Sequence, residues 1–294
     1  MQTLKVDFSK PTGKIKPVNA VNNGPAGSRT RRTGNFDLYE SLHIPYARLH
    51  DSAFYNGNYG GEYSVDVHRV FPDFDADEND PASYLFGPTD AYLQDIEAAG
   101  TKIYYRLGAA IEHGHKRGTY PPKDFAKWAR ICEHIIMHYT QGWANGFHMD
   151  IEYWEIWNEP DCTNADGSHP CWQGTPEQFI EFFITAITYL KGKFPALKFG
   201  GPAICWVKDP TYMIPLLESM QKVNAPLDFF SFHGYTKEPK KMAVDIAIAK
   251  ELLERYGYSG AEMHLNEWNY VRSFLGKEFE FSIKSIKGAY HRAQ

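Results

Sequence analysis

The chain predicts an α/β fold, a TIM-type (β/α)8 barrel that stops after its seventh βα unit. Three observations carry that expectation. Strand-like apolar runs and amphipathic helices alternate strictly from residue 15 onward, with no internal repeat and no interdomain linker. The stretch Glu152-Tyr-Trp-Glu-Ile-Trp-Asn-Glu-Pro160 reads as a buried strand that ends abruptly in an amide, a carboxylate and a proline. A second strand, Ala261-Glu-Met-His-Leu-Asn-Glu-Trp268, also ends in a carboxylate, Glu267. The separation, 267 − 159 = 108 residues, is too long for a local pair and fits three βα units of about 30 to 40 residues each.

Taken in order, residues 1–14 read as a polar arm with one short strand, Leu4 to Phe8, and residues 15–294 as the barrel. Lys16 to Asn22 is the candidate first strand, followed by a Gly/Asn loop and a helix near Phe36 to Leu42. Strand 2, Ile44 to Leu49, runs into a long insertion, Asp51 to Gly87, rich in Gly, Asn, Asp, Tyr and Pro. In a barrel such loops build substrate walls. Helix 2 spans about Pro88 to Ala99 and strand 3 Lys102 to Leu107. Phe125, Trp128, Ala129, Cys132, Ile135, Ile136 and Tyr139 then form one apolar stripe at helical spacing. After strand 4, Thr175-Pro-Glu-Gln178 announces a helix: an N-cap Thr, a Pro at the first helical position and a Gln at the third. Strand 5 is Leu197 to Ala203, helix 5 about Pro210 to Lys222 and strand 6 Leu227 to Phe232. Helix 6 covers about Pro239 to Tyr256, strand 7 Glu262 to Glu267, and helix 7 about Phe279 to Arg292. Seven strands leave strands 1 and 7 with unpaired backbone groups. A further segment, of a longer polypeptide or another chain, is therefore expected in the place of strand 8.

Composition narrows the function classes. The net charge is 31 − 36 = −5 with no long basic run, which argues against nucleic acid as the main partner. No apolar stretch approaches the length of a membrane span. Aromatic residues reach 15%; core packing explains many of them, and sugar sites also need such flat apolar faces. The N-terminus lacks the charged and apolar regions of a signal peptide. The compartment stays open between the cytoplasm and an exported location whose signal has been removed. Cys132 and Cys205 read as reduced core residues. Cys162 and Cys171 flank one polar loop, which they would close as a disulfide in an oxidising compartment and leave open in a reducing one. His113-Gly-His115 has the spacing of some metal-dependent barrel hydrolases, but there it ends strand 1, and here it follows strand 3. No metal or other cofactor is expected.

Trp157-Asn158-Glu159-Pro160 followed three strands later by Asn266-Glu267-Trp268 resembles the two-glutamate signature of retaining glycoside hydrolases on TIM barrels. With Pro45-Tyr-Ala-Arg-Leu-His-Asp51, Phe229-Phe-Ser-Phe-His-Gly-Tyr235 and Gly200-Gly-Pro-Ala203, the chain resembles glycoside hydrolase family 39 over roughly residues 15 to 293. That resemblance implies a retaining glycosidase for β-linked glycosides, most of all an exo-β-xylosidase, with a carbohydrate substrate. The alternatives are another glycosidase of the clan, such as an endo-glycanase, and a sugar-binding pseudoenzyme. It also implies that the N-terminal arm joins an accessory β-sandwich. Oligomeric state is not legible.

Carried onto this sequence, the resemblance makes Glu159 the acid/base and Glu267 the nucleophile. Retention needs the two carboxyls about 5 to 5.5 Å apart, one protonated and one ionised. Arg48 would keep Glu267 ionised, unless it serves only as an interior partner for Glu155. Asn158 would bind the sugar 2-hydroxyl. Strict alternation sets Asn158 and Glu159 on opposite faces, so the strand must bend where both are presented. Tyr235 would hydrogen-bond the nucleophile, and His50 and His233 would contact the sugar. Trp268 would wall a subsite or cap the barrel.

Overall fold

The computed structural model describes residues 5, 7–13, 18–27, 29–30, 34–50, 64–112, 116–164 and 166–285. Seven strands form one parallel sheet in sequential order, β1 (Val21–Asn22), β2 (Tyr46–Arg48), β3 (Lys102–Leu107), β4 (Tyr153–Ile156), β5 (Lys198–Ile204), β6 (Phe229–Tyr235) and β7 (Glu262–Asn269). The helices are α1 (Phe36–Ser41), α2 (Val67–Val70), α3 (Gly87–Ala98), α4 (Phe125–Gln141), α5 (Pro176–Lys193), α6 (Pro210–Lys222), α7 (Pro239–Arg255) and α8 (Gly276–Lys284). Sequential parallel order with a helix at each crossover curls the sheet into a nearly closed barrel. Among the described residues, no ladder joins β1 to β7. Their seam opens into a cavity of about 740 Å³ whose lining includes Val21, Tyr46, Arg48, Leu265, Asn266 and Trp268.

Most boundaries fall within two residues of those expected, because strong local chemistry sets them. Thr175 and Gln178 form the full capping box at the start of α5. The apolar stripe of α4 and the inner face of α5 are buried as their spacing requires. Three differences stand out. β1 is confined to Val21–Asn22 among the described residues. The expected strand from Leu4 to Phe8 is not present at its described end, because Asp7 to Lys10 make a turn. Leu4 and Val6 lie outside the described residues, as do positions 51–63 of the long insertion, His113 to His115, and positions 286–292 of the expected last helix. β6 and β7 run two to three residues further than expected. β6 continues through Gly234, which supplies no side chain to oppose the ladder.

An aromatic layer backs the fourth strand. Trp157 meets Trp172 and Phe182 edge-on, with ring centroids 5.1 and 5.2 Å apart, and Trp128 adds a tilted contact at 6.4 Å. Such pairs add about 0.5–1.5 kcal/mol each beyond burial. Inside the barrel, Tyr104, Tyr153, Phe229 and His264 form a packed floor. Below it Lys198 bridges Glu152 (2.8 Å) and Glu262 (2.5 Å). Chemistry is therefore confined to the other, C-terminal end.

Candidate active site

The two carboxylates reach one site because both of their strands break alternation. β4 ends at Ile156, and Trp157 (φ +74°) and Glu159 (φ +47°) both adopt left-handed backbone. For residues with a Cβ this costs roughly 1–3 kcal/mol each and persists only where the surroundings over-determine it. Here they do. The Trp157 amide donates to the Leu107 carbonyl (2.7 Å) on one side, and the Glu159 amide to the Ala203 carbonyl (3.1 Å) on the other. The Trp157 indole is buried in the aromatic layer and donates to the Cys171 carbonyl (2.9 Å). Gly108 allows the approach, since a Cβ there would lie 3.0 Å from the indole ring. Asn158 and Glu159 consequently both face the interior and are buried. β7 uses a different device. Phe232 pairs with Leu265 but His233 pairs with Glu267, so Asn266 is an extra residue, and the bulge turns both Asn266 and Glu267 inward.

Glu267 is surrounded by donors. Its Oε1 accepts from Arg48 Nη1 at 2.7 Å and lies 3.3 Å from His50 Nε2, while its Oε2 accepts from the Tyr235 hydroxyl at 2.6 Å. Arg48 is itself buried and gives Nε to Glu155 (2.6 Å) and Nη2 to the Asn158 side-chain carbonyl (2.8 Å). Asn266 completes the layer by donating to Glu155 Oε1 (2.6 Å). Burial favours protonation of Glu267, yet the neighbouring His233, His50, Arg48 and the Tyr235 hydroxyl outweigh it and hold its carboxyl well below the usual range. Burial pushes His50 down to about 3, so near neutral pH it is an uncharged imidazole. Arg48 is therefore the permanent cation at Glu267.

Glu159 is buried just as deeply but lacks such a cation. Burial raises its carboxyl, opposed by His233, whose Nδ1 lies 2.6 Å from Oε1. His233 in turn is raised by the two carboxylates against its own burial, and its Nε2 stands 3.4 Å from Glu267 Oε1. One ring thus spans both glutamates, and oxygens of both and a ring nitrogen lie within 4.8 Å of one another. Glu159 and His233 hold a proton between them above the usual carboxylate range. Two residues on, Asp161 accepts the amides of Cys205 (2.9 Å) and Trp206 (2.8 Å), tying the turn after β4 to the end of β5. Burial raises the Asp161 carboxyl to about 6.

The family model for Glycosyl hydrolases family 39 matches residues 66–276, which contain both glutamates. This chain belongs to that family. A β-xylosidase of Geobacillus stearothermophilus is 24% identical over 175 residues, 52% of this chain and 33% of its own length. The solved structure of a glucosidase from Croceicoccus marinus superposes with a TM-score of 0.75 at 25% identity, over 93% of this chain and 56% of that one. A monomeric β-xylosidase from Caulobacter crescentus CB15 shares the fold, with a TM-score of 0.62 at 17% identity, over 90% of this chain and 55% of that one. The family-39 chain thus spans between a third and just over half of these relatives' lengths.

Within the family-39 barrel, most residues singled out from sequence converge. Glu159, Glu267, Asn158, Arg48, His50, His233 and Tyr235 form one connected layer. Arg48 fills both roles open to it, because it binds Glu155 and Glu267 together. Trp268 stands apart. It is 52% exposed and lines the β1–β7 seam instead of joining the carboxylates. Glu155 reads in the sequence only as an interior partner of Arg48, and Asp161 goes unassigned. Glu155 is the buried hub under Arg48, and its signal was a lone charge inside an apolar strand, which must be paired. Asp161 is the clip behind the Glu159 turn, with no sequence signal beyond its position after Pro160. The four cysteines are all thiols, so the loop flanked by Cys162 and Cys171 is not closed by a disulfide. Cys205 is half-buried, not a core residue, because it follows β5 into the loop that Asp161 holds.

Proposed function

We propose that this chain carries the catalytic centre of a retaining glycoside hydrolase acting on β-linked glycosides. The observation behind it is the pair of equally buried carboxylates, within 4.8 Å of each other at their nearest oxygens, in opposed environments. That spacing suits direct attack better than a water-mediated inversion, which needs about 6.5–9.5 Å between carboxyl groups. In the first step Glu267 attacks the anomeric carbon while Glu159 protonates the departing oxygen, giving a glycosyl ester on Glu267. Glu159, now a carboxylate, takes a proton from water, and the water attacks the same carbon to release the sugar. Arg48 and Tyr235 keep the attacking carboxylate ionised and oriented. Asn158, fixed by Arg48, offers its amide N–H2 to the sugar 2-hydroxyl, a contact that strengthens as charge develops.

For the glycone we propose xylose, released from the non-reducing end of xylo-oligosaccharides. The similarity to a β-xylosidase supports this reading, and the likeness to a glucosidase supports a glucoside as the competing one. The test uses Glu267→Ala with aryl β-xylosides and β-glucosides. Turnover should fall on the order of 10⁴-fold or more. Azide should restore part of it, giving the α-glycosyl azide by a single displacement. Undiminished turnover, or a β-azide from this variant, would remove Glu267 from the nucleophile role. Whichever aryl glycoside the unmodified protein cleaves faster decides the sugar.

A further inference from the structure

Three thiols converge on Glu159 from two separate elements. Cys162 and Cys171 come from the loop after β4, and Cys205 follows β5. The Sγ atoms of Cys162 and Cys205 and a carboxylate oxygen of Glu159 lie within 4.8 Å of one another. Cys171 adds a third sulfur beside the same carboxylate, its Sγ 3.9 Å from Glu159 Oε2. The displacement chemistry uses no thiol. Packing needs only small apolar groups at these positions, not three sulfurs around one carboxylate.

The spacing matches what a tetrahedral ion with sulfur and oxygen ligands would need. With metal–sulfur bonds of about 2.3 Å and metal–oxygen bonds of about 2.1 Å, such ligands stand roughly 3.5–3.8 Å apart. The donors must therefore close by about 1 Å at most. Their two segments are already fastened together, because Asp161 accepts the amide of Cys205 itself. Cys162 and Cys205 are both half-buried, so this side of Glu159 is less deeply buried than the carboxylate itself. A disulfide between Cys162 and Cys205 would leave Glu159 out, whereas a metal ion engages all three donors. Soft thiolates beside one carboxylate select thiophilic d¹⁰ ions over Mg²⁺ or Ca²⁺.

We propose that Cys162, Cys205 and Glu159 form a binding site for a thiophilic divalent cation of the Zn²⁺ or Cd²⁺ type. On binding, the ligating thiols release their protons to solvent and the carboxylate becomes a ligand. A Glu159 held this way has no proton to give a leaving group, so the bound ion silences turnover. That consequence rests on the acid role proposed above; the binding itself does not.

Cadmium is the probe of choice, because thiolate ligation produces a charge-transfer absorption in the ultraviolet that carboxylates do not. Reduced protein titrated with Cd²⁺ should saturate at one equivalent with that absorption, and turnover should fall in parallel. Cys162→Ser and Cys205→Ala should each weaken binding by more than about tenfold. Cys132→Ala, in the core of α4, should bind as the unmodified protein does. Two different ligand variants guard against one failing to fold, and the near-ultraviolet circular dichroism of each checks it. No thiolate absorption in the reduced protein, or undiminished Cd²⁺ affinity in the Cys162→Ser/Cys205→Ala double variant, would overturn the site. Thiolate-bound Cd²⁺ with turnover untouched would uphold the site and remove Glu159 from the acid role.

Discussion

Glu159 and Glu267 are each 5% exposed and each stand where a parallel strand loses its regular alternation, yet their carboxyls are pushed in opposite directions. Burial is common to both, so it does not separate them. The difference lies in the partners. His233 neighbours both, but Glu267 also faces a guanidinium and a tyrosine hydroxyl, both fixed donors, whereas Glu159 is left to that imidazole, which itself gains and loses a proton. A fixed cation locks one charge state, and a titrating neighbour keeps a proton available. This division of labour is what two-step displacement asks of two otherwise equivalent groups.

The most severe way to break the asymmetry from the acid side is Glu159→Gln. With a poor, alkyl leaving group, kcat/KM should drop about 10²- to 10⁴-fold, the range for positioned general acids. An activated aryl leaving group should lose much less in its first step. The basic limb of the pH profile should also vanish, because the removed proton is the one that limb reports. A basic limb left in place by Glu159→Gln would assign it elsewhere.

From the nucleophile side, Arg48→Met removes the fixed cation and leaves Glu155 and Glu267 buried without it. Losing one partner of a buried ion pair costs about 3–5 kcal/mol, so the urea midpoint should fall sharply. The acid limb of kcat/KM should move to higher pH, since Glu267 would then hold its proton longer. An unmoved acid limb would mean that Tyr235 and the histidines alone keep Glu267 ionised.

The barrel was legible in the sequence wherever one physical signal dominated. The N-cap chemistry of Thr175 and Gln178, the stripe on α4 and the β-branched and aromatic strands each set a boundary without help from the rest of the chain. The two glutamates were legible because each closes an apolar strand. Their presentation was legible only as a requirement. Alternation forbids Asn158 and Glu159 from sharing a face, but the solution, left-handed backbone at Trp157 and Glu159, depends on Gly108, Trp172 and Cys171, which lie far off in sequence. The β7 bulge at Asn266 depends likewise on its register with β6. The thiols around Glu159 were legible as a loop pair, Cys162 and Cys171. Cys205 joins them through the tertiary clip at Asp161, which spacing does not reveal.

A milder change sharpens the nucleophile half. Tyr235→Phe removes one hydroxyl donor from Glu267 and keeps the ring, which packs edge-on against Phe274. A hydrogen bond to a charged group is worth about 1.5–3 kcal/mol. The acid limb should rise by less than in Arg48→Met, and the loss of stability should also be smaller. If the two variants shift the limb equally, the guanidinium does no more than the hydroxyl to keep Glu267 ionised.

The smallest effect separates the neutral from the charged neighbours of Glu267. His50 faces Glu267, Arg48, Arg106 and His233, and burial lowers it from 6.5 to about 3. Between those values the unfolded chain carries a proton on His50 and the native chain does not. Falling pH therefore favours unfolding across that window, and the loss is complete only below the folded value. One such group contributes a slope of at most about 1.4 kcal/mol per pH unit. Glu267, with its carboxyl lowered, adds its own acid destabilisation only once the pH drops below an ordinary glutamate's range. Between pH 6.5 and 5 the two are thus separable. His50→Gln should reduce the dependence of unfolding free energy on pH over that interval, the remainder coming from His264 and His68, which are also lowered from 6.5, while leaving the steeper loss at lower pH. Urea titrations of both proteins at pH 5 and 6.5 measure the slopes directly. Equal slopes would mean that His50 is protonated in the native protein, and Glu267 would then face two cations instead of one.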